Sequence, residues 1–237
     1  MAGEWSPAMS RSNSNMVASL CRVSGVCVAS ARIRDAALSV HHQRLRRSRS
    51  DAYRPSELMT PDEAERYHAI QIGTFSRTEA DLVTAITMTH SADAIGVTRA
   101  AFEARLPVVI SFTVETDGTL PSGEALGAAI RAVDDATASG PAYFMINYAH
   151  PAHFADTLRH GNGWVARIRG VRANAWMLSH AELDEAEELD TGDPADLAAH
   201  YEQLRKEFAQ LTVLGGCCGT DDRHIEAIRR TCVPTFR

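Results

Sequence analysis

The stretch Leu211-Thr212-Val213-Leu214-Gly215-Gly216-Cys217-Cys218-Gly219-Thr220 decides how the rest of the chain is read. A short apolar run gives way to two glycines, two adjacent cysteines and a third glycine. The run has the length and composition of a buried strand. The glycines allow a sharp turn and a close approach of backbone to a ligand. The cysteines then stand at the C-terminal mouth of a strand, the face on which α/β barrels carry their chemistry. Two adjacent thiolates can both reach one soft metal ion. The same residues also read as two inert cysteines of a packed core, because free cysteine is among the most buried residue types.

Working back from this strand, apolar runs alternate with helical segments. Residues 81–88, 106–114, 142–147 and a run within 165–175 read as four further strands. Thr60-Pro61-Asp62-Glu63 is a helix start, with Thr as N-cap, Pro at the first position and Glu at the third. That helix runs to about Arg77, and others cover 91–104, 124–137, 153–160 and, behind Asp193-Pro194, 194–210. A last helix spans 221–230, with Asp221 and Asp222 at its start. Residues 115–123 form a polar loop with Asp117-Gly118 at its turn, and the acidic segment 182–193 reads as exposed. Strands this continuously apolar are covered on both faces, the mark of a parallel α/β sheet. Five strand–helix units suit either an open doubly wound sheet or most of an eight-stranded barrel. No G-x-G-x-x-G or G-x-x-x-x-G-K run follows any strand, which argues against the common nucleotide-binding forms.

The 237 residues are 45% hydrophobic and 23% charged, the balance of an ordinary globular chain. The net charge of −6 does not read as a nucleic-acid binder. It conceals a division: residues 1–50 carry eight arginines against Glu4 and Asp35, whereas residues 51–237 are strongly acidic. The first 50 residues therefore read as a basic, disordered or non-homologous segment, with one candidate strand at Val23–Val28. The five cysteines (Cys21, Cys27, Cys217, Cys218, Cys232) are too few and too oddly spaced for a secreted disulfide framework, so a cytoplasmic location is expected. No stretch approaches the ~20 apolar residues of a membrane span.

Residues 51–237 resemble the homocysteine S-methyltransferase family. The resemblance rests on Gly215-Gly216-Cys217-Cys218-Gly219-Thr220, on Ile146-Asn147-Tyr148-Ala149-His150-Pro151, on Pro107–Val114 followed by Leu120–Gly123, and on Ile168–Asn174. It implies a (β/α)8 TIM-barrel domain over 51–237, of which about five of eight strands are recognisable. It also implies a zinc-dependent S-methyltransferase that moves a methyl group from a sulfonium or ammonium donor to a thiol such as homocysteine. In the family three cysteine thiolates hold Zn²⁺ and the substrate thiol takes the fourth position; Cys217 and Cys218 match two of the three. The third, a cysteine directly after Asn, is Tyr148 here. A phenol is a poor zinc ligand beside a thiolate, and His150, two residues on, is the substitute candidate, ahead of His153 and Cys232. A glutamate that holds the acceptor's amino group in many members falls at Ile86.

The expected partners are a small-molecule thiol and a methyl donor. Asn147 and Glu115 are the substrate-binding candidates, and Arg169, Arg172 and Asn174 could hold a carboxylate. Five strands cannot close a barrel, so bare strand edges are expected, and with them association between copies. The alternative reading is an inactive or truncated relative with an impaired metal site.

Overall fold

The computed structural model describes residues 35–39, 58–185 and 191–232, the first of these as backbone only. The candidate strand at Val23–Val28 and the basic run after Ser39 lie outside the described residues. Among the described residues six strands form one sheet: β1 (Asp35–Ser39), β2 (Leu82–Met88), β3 (Val108–Phe112), β4 (Tyr143–Asn147), β5 (Ile168–Ala173) and β6 (Val213–Gly216). Their order in the sheet is their order in sequence, and every neighbouring pair is parallel. A doubly wound sheet would reverse its order part-way. Unbroken sequential order is that of a barrel wall, here an arc of six strands. The five expected strands are all present. The sixth, β1, lies in the Arg-rich N-terminal part and pairs from Asp35↔Leu82 to Ser39↔Ile86.

Helices return the chain between strands: α1 (Pro61–Phe75), α2 (Ser91–Glu103), α3 (Leu126–Thr137), α4 (Pro151–Arg159), α5 (His180–Glu185), α6 (Pro194–Glu207) and α7 (Asp222–Cys232). Their starts are written in the sequence. Thr60 and Glu63 close the expected capping box on α1, and Asp193 accepts from the Ala195 N–H at the start of α6. All five residues of β3 and four of five in β4 are buried, as continuous apolar runs require. Each buried Val, Ile or Phe contributes roughly 1.5–3 kcal/mol. Phe112 and Phe144 stack at 6.0 Å, joining β3 to β4. Among the described residues no helix is long and apolar enough to cross a membrane.

A candidate thiolate site at the strand mouths

The C-terminal ends of β3 to β6 converge on one mouth. The β6 end is fixed from three sides. The Cys217 N–H donates to Ala173 O at 2.8 Å, the Cys218 N–H to Asn174 Oδ1 at 3.2 Å, and the Ala175 N–H to Cys218 O at 2.9 Å. The Tyr201 hydroxyl reaches in from α6, accepting from the Ala173 N–H at 2.9 Å and donating to Gly215 O at 2.5 Å. Gly216 is a matter of space. A Cβ there would lie 2.1 Å from Thr220 Oγ1, which itself donates to Cys217 O at 2.7 Å. Gly219, at φ +77°, makes the turn that folds Thr220 back.

Cys217 is buried and Cys218 half-buried. A hydrogen bond from the Cys218 side chain, the charge of Arg172 and the N–H groups of Cys218 and Tyr148 outweigh burial and pull the Cys217 thiol down to about 6. Arg172, from β5, is itself only 2% exposed. A buried guanidinium beside a thiol favours the charged form of that thiol.

The Tyr148 N–H therefore stands beside Cys217. Tyr148 adopts φ +57°, in the left-handed region, which strains an aromatic residue by roughly 1–3 kcal/mol. Asn147, just before it, is tied to the sheet. Its Oδ1 accepts from the Thr87 N–H at 2.9 Å and from Ser111 Oγ at 2.7 Å, while Nδ2 donates to Thr87 Oγ1 at 2.9 Å. Thr87 is also left-handed, at φ +62°, in the register shift between β2 and β3. The Asn147 amide is thus spent mainly on positioning the mouth. Ile86, one residue earlier, is 4% exposed.

The sequence reading missed His180. It is buried, with Nδ1 3.2 Å from Glu115 Oε1 and Nε2 2.8 Å from Tyr148 O, and its ring lies 4.8 Å from that of Tyr148. Glu115, from the loop after β3, thereby joins the mouth. The signal for α5 was present, since Ser179 and Glu182 form a reciprocal S-x-x-E cap.

The structure brings Cys217, Cys218, Tyr148 and Arg172 together and takes His150 elsewhere. His150 is the N-cap of α4, its Nδ1 accepting from the Ala152 N–H at 3.2 Å. Its ring meets His200 of α6 at 4.9 Å and His153 at 6.1 Å. Burial first, and then those two histidines, push its pKa down to about 4. His153 is likewise lowered by burial, and its Nε2 faces Met177 O at 3.2 Å. Cys232 lies at the end of α7, where burial raises its pKa.

Residues 15–232 match the family model described as homocysteine S-methyltransferase. Two curated relatives are methionine synthases. That of Mycobacterium leprae is 32% identical over 124 residues, covering 52% of this chain and 10% of the relative. That of Mycobacterium tuberculosis is 34% identical over 125 residues, again 52% and 10%. The matched stretch is thus about a tenth of each relative's length. Among solved structures, the apo form of the homocysteine methyltransferase MmuM from Escherichia coli superposes with a TM-score of 0.57 at 15% identity, covering 84% of this chain and 63% of that one. Its metallated form gives 0.55 at 18% identity, covering 75% and 54%. At these identities the structural likeness establishes the fold.

Proposed function

The chain belongs to the homocysteine S-methyltransferase family, and from that premise we propose that it methylates a small thiol of the homocysteine kind from a sulfonium or ammonium donor, with zinc held by Cys217 and Cys218. The observation that carries this reading is the thiol of Cys217, drawn down to about 6 by Cys218, Arg172 and backbone N–H groups. A thiol so shifted is largely thiolate at neutral pH, and Cys218, the thiol that donates to it, completes an adjacent sulfur pair suited to zinc once it gives up its own proton. The fit is complete at two positions and poor at the third, where the phenol of Tyr148 replaces a thiolate. Zinc bound at the pair would supply the positive charge that keeps an acceptor thiol deprotonated at neutral pH.

The chain's own residues do the rest. Arg172 balances the charge of Cys217 and is the group suited to pair with a carboxylate on an amino-acid acceptor. Glu115, oriented by His180, offers a carboxylate to an ammonium group, the contact that Ile86 cannot make. Asn147 holds the mouth in register. In the transfer, the acceptor sulfur forms the new bond to the methyl carbon as the donor's bond to it breaks. The electron pair leaves with the neutral thioether or amine. This chemistry suits a reducing, cytoplasmic setting, where thiolates persist. Copies associate through the β1 and β6 ends of the described sheet.

Tyr148 and Ile86 together favour one second reading, a relative that has lost the transferase reaction. The two are separated by incubating the zinc-supplied chain with homocysteine and either a methylsulfonium or a quaternary ammonium donor. Zinc-dependent S-methylation that disappears in Cys217→Ser supports the first reading. Absence of product from the wild type, with product restored by Tyr148→Cys, supports the second.

A further inference from the structure

We propose that His150, Asp196 and His200 form a second metal site, separate from the cysteine pair, that takes a first-row divalent ion such as Ni²⁺, Co²⁺ or Zn²⁺. One donor atom from each residue lies within 4.8 Å of the other two, and among the described residues no other group of three or more His, Cys, Asp or Glu side chains comes as close. Two elements supply the site. His150 caps α4 from the end of β4, while Asp196 and His200 stand four residues apart on the first turns of α6. That spacing puts both on one helix face. His200 Nε2 is 3.8 Å from Asp196 Oδ2, and the His150 and His200 rings meet at 83°.

Ligands at about 2.0–2.2 Å from a metal ion lie roughly 3–4 Å from one another. Closing the cluster therefore requires the donor atoms to approach one another by about 1 Å. Two imidazoles and a carboxylate are borderline donors, suited to first-row ions rather than to Mg²⁺ or Ca²⁺. The site is graded in exposure. His150 is 1% exposed, whereas the side chains of His200 and Asp196 are 37% and 64% exposed. A buried ligand fixes the ion, and the open side admits it and leaves coordination positions for water or a small ligand.

The local hydrogen bonds do not already account for the cluster. The 3.8 Å separation of His200 and Asp196 is too long for a hydrogen bond. The bond from the Ala152 N–H to His150 Nδ1, at 3.2 Å, is at the long limit of such bonds. While Nδ1 accepts this bond the neutral ring carries its proton on Nε2, so an ion taken at Nε2 requires that proton to move to Nδ1, and the cap is given up. His153, turned to Met177 O, lies outside the set.

The test uses the tag-free full chain and Co²⁺, whose bonds to thiolate give near-ultraviolet charge-transfer bands that bonds to imidazole and carboxylate do not. In the Cys217→Ser/Cys218→Ser variant, one equivalent of Co²⁺ is expected to bind with visible d–d bands and no charge-transfer band. His200→Ala and Asp196→Asn, both surface changes, should each weaken that binding at least about tenfold. Should the double variant fail to fold, wild type and His200→Ala are compared instead, and the equivalent without charge transfer must vanish in the latter. No such equivalent in either background, or affinity unchanged by His200→Ala, overturns the proposal. Because the cysteine pole is read from the charge-transfer band and this site from the binding without it, either can fail alone.

Discussion

The cysteine pole and the histidine rim begin two residues apart in the chain, at Tyr148 and His150, and share almost nothing in chemistry. At the pole, soft thiols sit in a rigid mouth with a buried guanidinium beside them. At the rim, imidazoles and an exposed carboxylate lie between two helix starts. The left-handed turn at Tyr148 and the cap at His150 divide them, bringing the Tyr148 N–H to Cys217 and the His150 ring to His200 of α6. Closeness in sequence is therefore a poor guide to a shared ligand sphere. Tyr148 gives its N–H to the pole, whereas His150 lies against His200 and Asp196.

The largest effect that sharpens this division is one of pH. His150 titrates near 6.5 unfolded and at about 4 folded, so the unfolded chain binds the extra proton first. Its contribution to stability is intact above pH 6.5 and is lost as pH falls toward 4, by up to about 3 kcal/mol. Urea midpoints measured across this range should fall for the wild type and much less for His150→Asn, which can still cap α4. An equal fall in both would break the account of the rim.

Gly216→Ala acts on the pole alone. The added Cβ meets Thr220 Oγ1 at 2.1 Å, so about 2 kcal/mol of destabilisation is expected in equilibrium unfolding, with Co²⁺ binding at the rim unchanged. Arg172→Met should raise the Cys217 pKa, read from thiolate absorbance near 240 nm against pH. Ser111→Ala removes one of three bonds to Asn147 and should cost about 1 kcal/mol or less, with no effect at the rim.

Much of the wall was legible because its strands are unbroken apolar runs and its helices start at recognisable caps, Thr60 and Asp193. β1 was not, since Asp35-Ala-Ala-Leu-Ser39 is short, weakly apolar and set among arginines. It becomes a strand through pairing with β2, a tertiary effect no local pattern carries. That Cys217 and Cys218 follow a strand end was legible in the Gly-Gly-Cys-Cys-Gly run; that Arg172 lies against Cys217 was not, since it depends on the β5–β6 pairing. His180 was passed over because its helix lies in a polar stretch, although Ser179-x-x-Glu182 marked its start. The left-handed turns at Tyr148 and Thr87 left no trace in composition, because each is imposed by partners distant in sequence.

If Cys217 and Cys218 hold zinc together, both sulfurs stand in its first coordination shell. X-ray absorption at the zinc edge tests this most directly, on the His200→Ala chain loaded with one equivalent of zinc so that the rim does not compete. The account predicts sulfur scatterers at about 2.3 Å that are lost in Cys217→Ser/Cys218→Ser. A first shell of nitrogen and oxygen alone, or failure to retain zinc, would contradict it.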